Sequence, residues 1–286
     1  MLYKASKLLF LSIVLFLYSC SNDTEPIIPT SLEATQFLNE TYGNEAKQDY
    51  DIYLPKDRTT DTPVIVMVHG GFWSAGDKTD MNLLVSIARN TSSEFAIVNT
   101  NYRLATPTSN QHPTQINDLS SLISELESKK DDYQISNNYF FIGVSAGAHL
   151  SLLYSYKTDT NHNVKAVCSI VGPTDFLDPA YVNSTNTQFQ IIGEQFLGDT
   201  FANNPSLYED ASPITHVDAL DAPSILFYGD SDDLIPVSQA TGLRDKLTNV
   251  NVPVDYTLFP NVGHDLLGAD FNEMATKINT FFEQYR

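Results

Sequence analysis

Gly143-Val144-Ser145-Ala146-Gly147 brings a serine between two glycines, directly after the apolar run Tyr139 to Ile142 and before the small-residue segment Ala148-His149-Leu150. That is the strand–turn–helix context of a nucleophile elbow. The turn strains the serine's backbone, so its neighbours must lack bulk, and the hydroxyl is left exposed at a helix N-terminus whose dipole favours negative charge. A serine hydroxyl by itself is a poor nucleophile and needs a base held in place by an acid. On such an elbow the chain order is serine, then a carboxylate, then histidine. Among the later histidines, His149 lies one helical turn beyond Ser145, His162 sits in a polar loop and His216 in an irregular region; these read as structural or exposed. His264 stands in the turn Pro260-Asn261-Val262-Gly263-His264-Asp265, between the last strand-like run and the final helix, where a base reaches back to the nucleophile. Three carboxylates compete for the acid: Asp230, Asp232 and Asp233, all in the loop Gly229 to Pro236 after a strand-like run.

Acyl transfer also needs donors for a developing oxyanion, each typically contributing about 2.7–4 kcal/mol to the transition state. The loop His69-Gly70-Gly71-Phe72-Trp73 follows the apolar run 64–68. Its glycines allow backbone N–H groups to approach an alkoxide, so Gly70 and Gly71, with the amide of Ala146, are the expected oxyanion hole. His69 reads as a residue that fixes the loop, and Phe72 and Trp73 are expected to line the substrate pocket. The chain has neither a paired-histidine zinc motif nor a phosphate-cradling loop, so the chemistry is expected to need no metal and no cofactor.

Elements that could hold these residues alternate regularly. Strand-like runs rich in β-branched and aromatic residues occur at 50–54, 64–69, 95–100, 139–144, 164–171, 224–228 and 254–259. Several are apolar on both faces, as in a parallel sheet covered on each side. Helical patterns fall between or after them at 81–89, 113–130, 146–156, 237–247 and 271–285. No period of 20–50 residues repeats. The alternation predicts one α/β domain over residues 31–286, a mostly parallel doubly wound sheet with helices on both faces. Residues 174–218 break the rhythm with a polar, irregular stretch long enough to carry function, expected as a short lid over the site.

The N-terminus reads differently. Lys4 and Lys7 precede the apolar run Leu8 to Tyr18, about half the roughly 20 residues of a membrane-spanning helix. Leu17-Tyr18-Ser19-Cys20 resembles a bacterial lipobox, with Tyr18 an uncommon residue in it. Residues 1–19 are therefore expected as a lipoprotein signal peptide, and residues 20–30 as a lipidated Cys20 followed by a flexible polar tether. The other cysteine, Cys168, lies in an apolar run and is expected to be a small buried core residue. The formal charge is −19, and loss of residues 1–19 with Lys4 and Lys7 makes the remainder two units more negative. Such a surface repels nucleic acid and anionic lipid head groups, so membrane attachment would rest on the lipid. An exported protein anchored to a bacterial membrane, the outer one being favoured, is the expected location.

Beyond the elbow, the chain contains Asp51-Ile52-Tyr53-Leu54-Pro55, Gly76-Asp77, Asn101-Tyr102-Arg103-Leu104, Gln115 to Asp118, Phe196-Leu197-Gly198, Ala211-Ser212-Pro213-Ile214 and Gly263-His264. With the His69–Trp73 loop these resemble the esterase branch of α/β hydrolases that includes bifunctional feruloyl/acetyl-xylan esterases, carboxylesterases and kynurenine formamidase-like enzymes. Phe72 and Val144 depart from the hormone-sensitive-lipase pattern, which has a third glycine and an aspartate there. The resemblance implies the α/β-hydrolase fold and selects Asp232, three residues past Gly229 and four before Pro236, as the acid of a Ser145–His264–Asp232 triad. It implies hydrolysis of a carboxylic ester through an acyl-enzyme, with short acyl or feruloyl groups on glycans or small esters as substrates. An arylformamidase, a serine peptidase on the same fold and a non-catalytic glycan-binding lipoprotein are the alternatives.

Overall fold

The computed structural model describes residues 31–182, 193–266, 269 and 271–286. The expected signal peptide, Cys20 and tether lie outside the described residues, as do residues 183–192 of the expected lid. Eight strands form one sheet: β1 (Thr35–Thr41), β2 (Asp49–Leu54), β3 (Val64–Val68), β4 (Ala96–Thr100), β5 (Tyr139–Val144), β6 (Val164–Ile170), β7 (Ser224–Gly229) and β8 (Val254–Phe259), in the order β1-β2-β4-β3-β5-β6-β7-β8. β1 and β2 run antiparallel to their neighbours; from β4 to β8 every pairing is parallel. This is the α/β-hydrolase fold, and the strands expected from the sequence are present within a residue or so of their expected bounds. β1 was not expected. Its residues are almost all exposed, so its sequence carries no apolar alternation, and its place is set by backbone pairing to β2.

The sheet separates two apolar layers because successive side chains of a strand point to opposite faces. Val64, Val66 and Val68 of β3 pack with Leu119, Leu122 and Leu126 of α2 (Thr114–Tyr133) and Leu150 of α3 (Ala146–Leu153). Ile65 and Met67 face the other way, against Val85 and Ala88 of α1 (Asn82–Thr91) and Met274, Ile278 and Phe282 of the helix Phe271–Tyr285. Cys168 lies in this second layer, fully buried, as expected. α3 is shorter than the predicted 146–156: it passes at Tyr154 into a π-helical turn that runs to Thr158.

Two buried polar networks tie the first strands to the loops that approach Ser145. Asp118 on α2 has no exposed side-chain surface and accepts from the Arg103 amide (2.8 Å), Arg103 Nη2 (2.6 Å) and Gln48 Nε2 (2.9 Å). Lys78 is sealed between Asp49 (2.6 Å) and Asp51 (2.7 Å), while its backbone is held by Asn101 and Asn99. Removing one partner of a buried pair strands the other charge, which costs about 3–5 kcal/mol.

A third cluster sits behind the elbow. Trp73 was expected to line the pocket; it is instead 3% exposed, its ring stacked on Phe196 at 4.4 Å and its indole N–H donated to His149 Nδ1 at 3.1 Å. A large ring with one donor gains most where the ring is buried and the donor is satisfied, and His149 provides that acceptor. His149 donates its other N–H to the Ala211 carbonyl at 2.7 Å. Burial holds its pKa down to about 3, and also lowers those of His69 and His112.

Two outcomes follow from these contacts. Asp118→Ala should lose about 3–5 kcal/mol of stability, read from urea denaturation by the fluorescence of the sole tryptophan; a loss near zero would show that the network carries no stability. His149 has a lower pKa folded than unfolded, so the unfolded chain binds the extra proton below about 6.5. Its contribution is complete above that pH and is lost as pH falls toward 3. The urea midpoint should therefore drop between pH 7.5 and 5, and His149→Gln, which can accept from Trp73 and donate to Ala211, should shrink that drop. An undiminished drop in the variant would remove His149 as a cause.

Candidate active site

β5 ends at Val144 and α3 begins at Ala146, so a single residue makes the reversal. Ser145 adopts φ 53° and ψ −118°, a region that non-glycine residues rarely occupy and that costs on the order of 1–3 kcal/mol. The flanking glycines make the crossing sterically feasible. A Cβ on Gly147 would lie 2.1 Å from the Val68 carbonyl oxygen, and one on Gly143 would lie 2.4 Å from that of Gly147. The Ser145 amide donates to Ile170 O at 2.8 Å, which fastens the elbow to β6.

The structure brings Ser145, His264 and Asp232 together. His264 Nε2 is 3.0 Å from Ser145 Oγ, and His264 Nδ1 is 2.9 Å from Asp232 Oδ2. Asp232 is closed to solvent while the His264 side chain keeps 22% of its surface. The second oxygen of Asp232 accepts the amides of Leu234 and Ile235, both at 2.8 Å, so the carboxylate is oriented by its own loop. The two loops are also joined directly. Asp230 and Ser231 donate their amides to Phe259 O and Val262 O, and Asp230 Oδ1 accepts the Asn261 amide. Asp230 thus braces the histidine loop without touching the histidine.

Gly70 lies against the elbow: a Cβ there would stand 3.3 Å from Ser145 Cβ. The loop after it is held in an unusual backbone, with positive φ at Gly71 (110°), Phe72 (52°) and Trp73 (59°). His69 fixes its root, stacked on Tyr102 at 4.3 Å, while the Tyr102 hydroxyl donates to His69 O at 3.0 Å. Ala146 is the first residue of α3, where backbone N–H groups have no partner within the helix. Gly70 and Gly71 line the same cavity as Ser145, and Ala146 follows the serine directly in the chain.

A cavity of about 390 Å³ opens on Ser145 and His264. Phe72 lines it together with Met81, Leu84, Leu266 and Phe271, and it also contains the carboxylates Asp80 and Asp265. Sequence reasoning missed these wall residues. They come from three separate stretches of chain, and a helical methionine or leucine that faces a cavity has the same pattern as one that faces the core. A larger cleft of about 640 Å³, lined by Arg58, Arg89 and Arg286 among others, lies at the opposite end of the parallel strands and holds none of the triad residues. His162 is exposed, and His216 donates its Nε2–H to the Asp210 carbonyl, away from Ser145. Among the described residues no cluster of His, Cys, Asp or Glu could hold a metal ion.

Esterase LipC of Mycobacterium tuberculosis is 28% identical over 263 residues, covering 85% of this chain and 64% of that protein. The probable carboxylic ester hydrolase LipM of the same organism is 29% identical over 234 residues, covering 74% and 52%. The chain therefore spans between half and two-thirds of the length of these curated relatives. Among solved structures, a truncated carbohydrate esterase from gut microbiota superposes with a TM-score of 0.74 at 21% identity over 88% of this chain and 97% of that one. A bifunctional GH43-CE protein of Bacteroides eggerthii gives a TM-score of 0.76 at 20% identity, over 87% of this chain and 35% of that one. At these identities the superpositions establish the fold. A family profile reaches further, matching residues 50–247 from β2 through the elbow and the Asp232 loop to the helix beyond it, and by that match the chain belongs to the BD-FAE family.

Proposed function

We propose that the protein is a serine carboxylic-ester hydrolase that works through an acyl-enzyme on Ser145. The observation that carries this reading is the relay from Asp232 through His264 to the Ser145 hydroxyl, at 2.9 and 3.0 Å, beside a glycine loop. Asp232 accepts Nδ1–H and so leaves Nε2 with its lone pair toward the serine. As Oγ attacks the ester carbonyl, Nε2 takes its proton and the carbonyl oxygen becomes an oxyanion facing the amides of Gly70, Gly71 and Ala146. The imidazolium, stabilised by Asp232, returns the proton to the departing alkoxide. Water then attacks the acyl-enzyme by the same route, giving the acid and restoring the serine.

For substrate, we favour short acyl or feruloyl groups carried on glycans or small esters. Support comes from the family, from a structural neighbour described as a carbohydrate esterase, and from a pocket at the lower end of the roughly 300–1,000 Å³ usual for ligand sites. Lipidation of Cys20 after removal of residues 1–19, with residues 174–218 serving as a lid, completes the proposal; the basic n-region, short apolar run and Cys20 in the sequence support the anchor.

A fluorophosphonate probe should label the wild-type chain and leave Ser145→Ala unlabelled, and the wild type should release acetate or ferulate from acetylated xylan or feruloyl esters. Asp232→Asn should lower kcat by on the order of 10⁴, whereas Asp230→Asn, which loses only a brace, should lower it far less. Equal losses, or labelling that survives Ser145→Ala, would overturn the mechanism. In a bacterial host the full chain should partition with membranes and incorporate labelled palmitate, and Cys20→Ala should abolish both; a fully soluble, unlabelled wild type would remove the anchor.

A further inference from the structure

Two separate stretches of chain supply the expected oxyanion donors. Gly70 and Gly71 belong to the loop after β3, and Ala146 opens α3. Such donors act together only when they converge on one oxygen, each about 2.7–3.1 Å from it. The spacing between loop and helix therefore bears on catalysis, and a buried contact spans it.

At the root of the loop, His69 is stacked on Tyr102 at 4.3 Å. The chain then runs through positive φ at Gly71, Phe72 and Trp73, and the Trp73 ring is buried behind the elbow. There the indole N–H donates to His149 Nδ1 at 3.1 Å. His149 stands one turn along α3, its amide donating to Ser145 O at 3.0 Å. The loop that carries Gly70 and Gly71 is thus bonded, side chain to side chain, to the helix that carries the Ala146 amide. The bond needs one tautomer. Nε2 holds the proton and donates it to Ala211 O at 2.7 Å, which leaves a lone pair on Nδ1 for the indole. Trp73 is 3% exposed and His149 fully buried, so no water takes over the contact when it is lost.

We infer that Trp73 and His149 are positioning residues for the hydrolysis, holding the Gly70 and Gly71 donors in register with the Ala146 amide, while the Ala211 carbonyl selects the histidine tautomer this requires. The inference rests on the ester-hydrolase reading and extends it beyond the triad. Neither side chain lines the cavity at Ser145, so each acts through the backbone it holds. The ester oxygen gains its charge only in the transition state, so a loosened register should lower kcat and spare KM.

Hydrolysis of p-nitrophenyl butyrate by the wild type establishes the hydrolase first; its absence would sink the function and the positioning role with it. His149→Leu should lower kcat about 10- to 100-fold, the scale of a displaced catalytic group, with KM within about twofold of wild type. His149→Gln, whose amide can accept from Trp73 and donate to Ala211, should recover most of that loss. Trp73→Phe keeps a ring on Phe196 and removes the N–H, so it should resemble His149→Leu and carries the test if that variant does not fold. A short alkyl trifluoromethyl ketone gives a second readout. Ser145 Oγ adds to its carbonyl carbon, the serine proton passes to His264, and the carbonyl electron pair becomes an oxyanion. Its inhibition constant should rise in each slow variant by the factor that kcat/KM falls. Leu126→Ala, buried in the core on α2, should lower the urea midpoint and leave kcat and ketone inhibition alone. The inference fails if His149→Leu and Trp73→Phe keep wild-type kcat, or if His149→Gln is as slow as His149→Leu. It fails equally if the ketone inhibits every variant alike, or if Leu126→Ala slows turnover as much as they do.

Discussion

The contact on which the site depends is the close crossing of α3 over the end of β3. Gly147 lets the helix come so near that its missing Cβ would overlap the carbonyl oxygens of Val68 and His69. With the helix that low, one residue must turn the chain from β5 into α3, and Ser145 takes the strained conformation this imposes. The strain is held by the buried strands on either side and by the Ser145 amide bonded to β6. The same crossing sets the glycine loop after β3 beside the hydroxyl, because Val68 and His69 are both the floor under Gly147 and the start of that loop. The proposed nucleophile and the expected oxyanion donors thus share a single steric cause.

The remaining partners come from the next parallel strands, and their relative position is fixed by backbone pairing. β7 and β8 pair in register from Ser224↔Val254 to Gly229↔Phe259, and the pairing continues past the sheet through the amides of Asp230 and Ser231. Asp232 and His264 therefore leave adjacent strands at matched heights. Gly229 packs against Val262 so closely that any side chain there would collide with its carbonyl, which keeps the two loops in contact. A flexible pair of loops would lose the entropy of ordering with each turnover, whereas this pair is ordered by folding.

Much of this was legible because the site residues sit where local sequence rules are strong. A serine between glycines after an apolar run, a histidine after the last strand and acids after the strand before it are all marked by short-range pattern. Other features left no such mark. β1 is exposed on both faces, so Thr35 to Thr41 show no alternation. Trp73 stands next to Phe72 in sequence, yet the positive φ values at both send one ring into the pocket wall and the other into the core. Asn101, Arg103 and Asp118 read as family markers without a stated role. In space they are supports, joining α2 and the first strands to the loop at Trp73. Such pairing becomes apparent only once distant segments meet.

The histidines show how environment divides labour among identical side chains. His149 has a donor at one nitrogen, from Trp73, and a carbonyl acceptor at the other, from Ala211. Adding a proton would set an N–H against the indole N–H, so hydrogen bonding reinforces what burial already imposes and the ring stays neutral. His69 is stacked on Tyr102 and bonded to the neighbouring Gly70 carbonyl, which serves a loop and leaves no route for a proton to a substrate. His264 alone has a carboxylate at one nitrogen and a hydroxyl at the other, with part of its ring open to the cavity. In the proposed mechanism the carboxylate stabilises the protonated ring and the hydroxyl provides the proton. The proposed base thus differs from two structural histidines in what lies on either side of the imidazole.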